Sequence, residues 1–251
     1  MAFDALAASY DSEFSNRPIA RLLRERVHER LSVHLKPGMR ALDLGCGTGI
    51  DSLWMAENGA QVTALDASPA MLEITRKRLA AHSEAQVAAF DYNHLPTDAY
   101  KGPFELVLAD FGALNMLEDW RPLAEWLISR VSPGGVLCVA VMTRFCLWES
   151  AWNFLHLKPG RAMRRWGGTA AFGDQTVTYP LVVHVVRAFM PEFRITHKRG
   201  LGIFLPPSEM FEVVEKRPRL MRLLSRVDDW FWRHGTGTRI ADHAWLELTR
   251  Q

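Results

Sequence analysis

Residues 40–66 constrain what this chain can fold into more than any other stretch of it. Ala41-Leu42-Asp43-Leu44 is a short apolar run with the character of a buried parallel strand. It leads into Gly45-Cys46-Gly47-Thr48-Gly49, with glycines at alternate positions, where a loop can pass close to a ligand without Cβ atoms in the way. Residues 50–57 have helical spacing, so the glycines lie between a strand and a helix N-terminus. The unpaired N–H groups of such a terminus favour an anionic or acceptor-rich ligand. A second apolar strand, Val62 to Leu65, ends in Asp66, whose carboxylate can accept both hydroxyls of a ribose. Strand, glycine loop, helix and acidic strand end together describe a site for a nucleoside-type cofactor.

Strands alternate with helical patterns from Arg40 onward, which predicts an α/β fold: a doubly wound, Rossmann-like sheet with helices on both faces. The expected strands are 40–44, 61–65, 86–90, 104–109, 136–142, 193–204 and 240–249. Ser68 is a good helix N-cap and Pro69 suits the first helical position after it. Ser132-Pro133-Gly134-Gly135 reads as the turn before the fifth strand. Residues 18–35 form an amphipathic helix with Ile19, Leu22, Leu23, Val27 and Leu31 on one face. Two stretches exceed the minimal unit. Residues 145–168 place Trp148, Trp152 and Leu155 at helical spacing, and Gly173-Asp174 then signals a hairpin. Residues 208–234 are helical and broken at Pro218. With no repeat or flexible linker, one domain over 1–251 is expected. Within it, insertions at 145–180 and 205–236 would form lids.

The spacing of the glycines narrows the cofactor. A dinucleotide fingerprint, G-x-G-x-x-G, would need glycine where Ile50 stands. The run Leu42-Asp43-Leu44-Gly45-Cys46-Gly47-Thr48-Gly49 followed by Asp66 instead resembles motifs I and II of class I S-adenosylmethionine (SAM)-dependent methyltransferases. The lead-in Phe3-Asp4, Ala7 and Tyr10-Asp11 resembles that of small-molecule members of the superfamily, which implies that residues 1–36 cover the cofactor. The resemblance implies a seven-stranded sheet whose last strand is antiparallel and slotted between the fifth and sixth. It also implies SAM as cofactor, with the methionine end on the N–H groups of the Gly45–Gly49 loop next to Asp43, Cys46 and Tyr10. Arg24 would be a counter-charge or a solvated helix residue. Asp66 would take the ribose; Ala67, Met71, Asp91 and Tyr92 would surround the adenine; Asp110 and Phe111 would lie by the sulfonium.

Methyl transfer from a sulfonium is an in-line displacement, so a base is needed only where the acceptor must lose a proton. The candidates are His94, His156, His184, His197, His234 and His243, with Asp228, Asp229 and Asn115. His156 comes first, because it follows two tryptophans in an insertion expected to cover the pocket. At the fourth strand end, Asp110-Phe111-Gly112 lacks the Asn/Asp-Pro-Pro-aromatic motif of nucleobase amine methylation. No Pro-Cys pair is present for cytosine C5, and three cysteines are too few for arsenite chemistry. A small-molecule acceptor remains. The Trp and Phe content of both insertions points to an aromatic or lipophilic one.

A formal net charge of +2 carries no nucleic-acid signature. The stretch from Lys158 to Arg239 nevertheless holds fifteen Lys or Arg against seven Asp or Glu, which suits an acidic substrate or an anionic surface. The Trp/Arg mixture of residues 148–166 also fits a helix lying at a membrane surface. Cys46, Cys138 and Cys146 have neither disulfide-framework nor zinc spacing, so free thiols and no metal are expected. The start of the chain has no signal-peptide pattern and no stretch is long enough to span a bilayer, which predicts a cytoplasmic protein. Nothing in the sequence sets an oligomeric state. A SAM-binding module without catalysis and a nicotinamide-dependent reductase are the competing readings, the second weakened by Ile50.

Overall fold

The computed structural model describes residues 2–92, 94–96, 100–173, 175–207, 210 and 212–251, without the side chains of 2, 3 and 172. Asp174 of the hairpin signal, and Ser208 and Phe211 of the second insertion, lie outside these residues.

Two N-terminal helices, α1 (Ala2–Tyr10) and α2 (Pro18–Leu31), precede the sheet and are joined by a π-helical turn, Asp11–Ser15. Strands β1 (Arg40–Leu44), β2 (Gln61–Asp66), β3 (Gln86–Ala89) and β4 (Phe104–Ala109) alternate with α3 (Ile50–Glu57) and α4 (Pro69–Arg78). Next come α5 (Arg121–Ile128) and β5 (Val131–Met142), then the first insertion: α6 (Leu147–Leu155), α7 (Pro159–Ala162) and the hairpin β6 (Thr169–Phe172) and β7 (Gln175–Thr178). The delayed helix α8 (Val182–Phe189) leads to β8 (Phe193–Leu201). The second insertion, α9 (Glu212–Glu215) and α10 (Pro218–Arg233), returns to β9 (His243–Arg250).

The main sheet has seven strands in the order β3-β2-β1-β4-β5-β9-β8. Strands β1 to β5 run parallel, and β9 pairs antiparallel with both β5 and β8, as expected for a last strand slotted inward. Its central strands are buried on both faces, and Leu42, Leu44, Val107 and Leu246 pack on one side while Ala41, Leu106, Leu108 and Trp245 pack on the other. One expectation fails in detail: Ser132–Gly135 is not a turn before β5. The strand begins at Val131, and the extra residues are absorbed where its pairing with β4 shifts register between Phe104 and Leu106.

Helix α2 seals the α3 side of the sheet at β9. Arg30 and His34 bond both oxygens of Glu247, at 2.6 to 2.8 Å, and that carboxylate is 1% exposed. Helix α10 is pinned to α2 by the buried Arg26–Asp228 pair, and the other Asp228 oxygen accepts the N–H groups of Ile203 and Phe204 at 2.6 Å. All three cysteines are free and buried.

Candidate functional site

A cavity of about 400 Å³ opens at the carboxyl edge of the sheet, over the ends of β1, β2 and β4. Twelve of the thirteen residues expected to hold the cofactor line it: Tyr10, Asp43, Gly45, Cys46, Gly47, Asp66, Ala67, Met71, Asp91, Tyr92, Asp110 and Phe111. Gly49 does not. A Cβ there would fall 2.7 Å from Thr75 Cγ2, so this glycine admits α4 against the loop. Gly47, at φ 53°, has open space where its Cβ would be, as suits a backbone that a ligand must approach.

The loop's N–H groups are less available than the helix-terminus argument supposed. Gly45 and Cys46 donate to Leu65 O, Gly47 donates to Asp66 Oδ2 and Gly49 donates to Cys46 O. Asp66 also accepts from Ser68 N at 2.8 Å, so its carboxylate ties the loop to the start of α4 while lining the cavity. Burial raises its pKa against the pull of these N–H donors. The N-terminal cover is fastened to the same loop. Asp11 accepts from Thr48 Oγ1 and Arg78 at 2.6 Å each, and Asp4 accepts from Ser68 Oγ at 2.5 Å.

Charge concentrates between β1 and β4. Asp43, which accepts from Ser52 Oγ, has its pKa pushed up to about 7 by burial and by neighbouring Asp51. Asp51 stays below the usual carboxylate range despite burial, because Arg24 and His28 both bond it. Arg24 is therefore no solvated helix arginine. It lines the cavity, and although burial opposes its charge, Asp51 and Asp110 raise its pKa. Neither oxygen of Asp110 has a hydrogen-bond partner among the described residues, and burial lifts its pKa well above the ordinary value. The Tyr92 hydroxyl, close to Gly45, is likewise buried without a partner. Such groups carry a desolvation cost that a ligand bearing a cation and polar hydrogens would offset. Phe111 adopts φ 43°, a strained conformation for an aromatic residue, with Arg24 4.9 Å from its ring centroid. Asp91 lines the cavity and also bonds His94 at 2.7 Å.

At the other end the wall comes from the first insertion and the start of β9: Arg164, Arg165, Gln175, Val177, Tyr179, Asp242 and His243. Arg165 links Glu149 (2.7 Å) to Asp242 (2.9 Å), and the second Asp242 oxygen lies 3.2 Å from His243 Nδ1. All four side chains are buried. Although burial opposes its ionisation, His243 and Arg165 hold Asp242 far below the usual carboxylate range. His243 Nδ1 makes no hydrogen bond among the described residues, its contact with Asp242 being an ion-pair distance only, and the ring stands edge-on to Phe111, 5.7 Å between centroids. The wall thus carries a buried imidazole with a carboxylate beside it.

The histidine in the cavity wall is His243, not His156. His156 is exposed at the end of α6, its Nδ1 at 2.8 Å from Trp152 O, and is not in the cavity wall. Of the nine histidines, His243 alone among the described residues lines the cavity. Asn115 and Asp228 are structural: the first bonds Met142 and Thr178 backbone, the second the α2–α10 contact. The apolar lid is corrected too. Trp148, Trp152, Trp166, Trp230 and Trp232 do not line the cavity, and Pro207 is the one described residue of 205–236 that does. Helix α10 instead buries Trp232 completely in the core beside α2. No spacing rule marks Asp242-His243; only an acidic residue next to a histidine at a strand start could have drawn the eye.

A family described as "Methyltransferase domain" matches residues 15–173. A demethylmenaquinone methyltransferase of Clavibacter sepedonicus is 35% identical over 138 residues, 54% of this chain and 55% of that protein. A malonyl-[acyl-carrier protein] O-methyltransferase of Serratia marcescens is 35% identical over 162 residues, 61% of this chain and 56% of that protein. The chain thus spans about half the length of the curated relatives it matches. In fold it is similar to a SAM-dependent methyltransferase from Mesorhizobium loti, with TM-score 0.57 and 20% identity over 89% of this chain and 96% of that one. No helix among the described residues is long and apolar enough to cross a membrane. With the glycine loop, Asp66 and the sheet order all in place, the chain belongs to the class I SAM-dependent methyltransferase domain family.

Proposed function

We propose that the protein transfers a methyl group from SAM to a small-molecule acceptor carrying an ionisable O–H, S–H or N–H, with His243 taking the proton. The observation that carries this reading is one continuous cavity, bounded at one end by the glycine loop and Asp66 and at the other by the Asp242–His243 pair. When bound, SAM supplies a methyl group on a positively charged sulfur that a nucleophile displaces. Asp66 would hold the ribose hydroxyls. Arg24 is the cation available to a carboxylate, since most of the loop N–H groups are already bonded. Asp110, with no hydrogen-bond partner among the described residues, offers a negative charge to the ligand's cationic centre. Asp242, 3.2 Å from Nδ1, would stabilise the positive charge that the imidazole gains with that proton.

Met116, Met142, Val177 and Tyr179 supply apolar surface at the acceptor end, with Gln175 and Arg164 as polar points. This supports an aromatic or lipophilic acceptor with one polar group. The quinone-pathway names of the relatives agree with that class. Incubation with methyl-labelled SAM and a metabolite extract, followed by mass spectrometry, tests the reading. Methylated hydroxyls, thiols or amines are expected. His243→Gln should lower kcat by about 100-fold or more, with SAM affinity unchanged. Product found only as carboxylate esters, with full activity in the variant, would remove the base from the mechanism. SAM binding without any labelled product favours the non-catalytic module.

A further inference from the structure

Helix α6 turns inward Trp148, which packs against the core, together with a polar pair, and turns outward an apolar stripe. Glu149 and Asn153, one turn apart, are buried, whereas Leu147, Ala151, Phe154 and Leu155, at i, i+4, i+7 and i+8, are exposed. The polar side is anchored, because Glu149 pairs with both Arg164 and Arg165. The helix cannot roll its apolar stripe inward without breaking those pairs. Past α6 the chain turns through Leu157, which sits at φ 54° with 89% of its surface exposed; Leu155 is 80% exposed. A leucine in the left-handed region is strained, and one so exposed has no burial to compensate. Trp166 extends the apolar surface, its ring 6.1 Å from Phe154 and 5.8 Å from Phe145. Lys158, Arg161 and Arg164 are exposed along the same hairpin, and the sequence has no acidic residue from Ser150 to Gly173.

We propose that the α6–α7 hairpin docks the protein on the surface of an anionic lipid bilayer. Protruding leucines enter the acyl boundary, Phe and Trp rings sit at headgroup level, and the cations meet lipid phosphates. A second copy of the chain would set these cations against their own equivalents, which disfavours self-association through this face. The surface adjoins the acceptor end of the cavity, since Arg164 and Arg165 belong to the hairpin and line the wall. Docking would therefore hold that wall close to the lipid. This inference goes beyond the proposed reaction and needs nothing from His243.

The full chain, sedimented with vesicles of phosphatidylcholine alone and of equal parts phosphatidylcholine and phosphatidylglycerol, tests it. Binding to the mixed vesicles is expected, weakened by salt and largely absent with phosphatidylcholine alone. L155E/L157E should bind at least about tenfold more weakly. Its SAM affinity, measured by calorimetry, should equal that of the unaltered protein, which shows that the variant is folded. Absence of binding to mixed vesicles, or equal binding by the double variant, overturns the proposal. Self-association that the double variant abolishes overturns it as well, assigning the face to a second copy. So does salt-sensitive capture of an acidic protein by this face with no vesicle binding. Failure of the unaltered protein to bind SAM would remove the methyl-transfer reading and leave the vesicle result standing.

Discussion

The two ends of the cavity handle charge in opposite ways. At the cofactor end, Asp43, Asp51 and Asp110 gather around one guanidinium, Arg24, with Asp66 in the same wall, and burial raises the pKa of three of the four carboxylates. At the acceptor end each charge is matched within the protein: Glu149 to Arg165, Arg165 to Asp242, Asp242 to His243. The first end has an electrostatic demand that a proton meets in the free protein and a positively charged ligand can meet in its place. The second is settled before any ligand arrives and presents an imidazole. Binding strength should therefore be decided at the first end and reaction rate at the second.

The comparison breaks most visibly at Arg165. Arg165→Met leaves Asp242 buried without its guanidinium and Glu149 with only the exposed Arg164. That should cost about 3–5 kcal/mol of stability, read from denaturant melts. SAM affinity of the folded protein should remain within about threefold. A parallel loss of affinity would mean that the two ends are one unit. Asp66→Ala acts at the other end. It should weaken SAM binding by about 1.5–3 kcal/mol, the range for hydrogen bonds to a charged group, with kcat at saturating SAM much less affected. Unchanged affinity in calorimetry would take the ribose away from Asp66.

Stability against pH should carry opposite signs at the two ends. Asp43 and Asp110 have folded pKa values raised above the ordinary 3.8, to about 7 for Asp43. The folded state then holds protons that the unfolded chain has released, so their contribution is present in acid and lost as pH rises through that window. Asp242 is depressed, so its contribution is present at neutral pH and lost as pH falls below about 4. Asp110→Asn should therefore gain on the unaltered protein as pH rises toward neutral in the absence of SAM. A gap between the two melting curves that is independent of pH would mean that Asp110 is not carried protonated into the fold. The smallest effect belongs to Trp230, which is 54% exposed and stacks on His234 outside the cavity. Trp230→Ala should move stability by under about 1 kcal/mol and leave SAM affinity and KM unaltered. A selective rise in KM would restore α10 as a lid.

Local signals reached the cofactor end with little loss. Asp43, Gly45, Gly47 and Asp66 lie within one strand–loop–helix–strand unit, and the unit's geometry follows from apolar runs and from glycines that alone tolerate its φ values. That the loop's N–H groups are already bonded was not legible there, because their acceptors, Leu65 O and Asp66, belong to the next strand. Nor was what the Trp-rich insertions pack against. Amphipathic spacing shows that a helix has an apolar face, not what that face meets. In α10 the face meets α2 and the sheet; in α6 it meets solvent, while Glu149 turns inward.

By itself the sequence determined seven strands in chain order, a nucleoside site at the carboxyl edge and the motif that marks the family, since each rests on patterns a few residues long; the inward antiparallel last strand followed only from the resemblance that the motif carries. Tertiary structure alone decided that His243 rather than His156 faces the cavity, that Arg24 belongs to the site, and that Arg165 is held between carboxylates. Asp242 stands 77 residues from Arg165, a pairing set by packing the insertion against β9. Burial, which turns an ordinary carboxylate into an electrostatic demand, is a property of the assembled fold and of no segment within it.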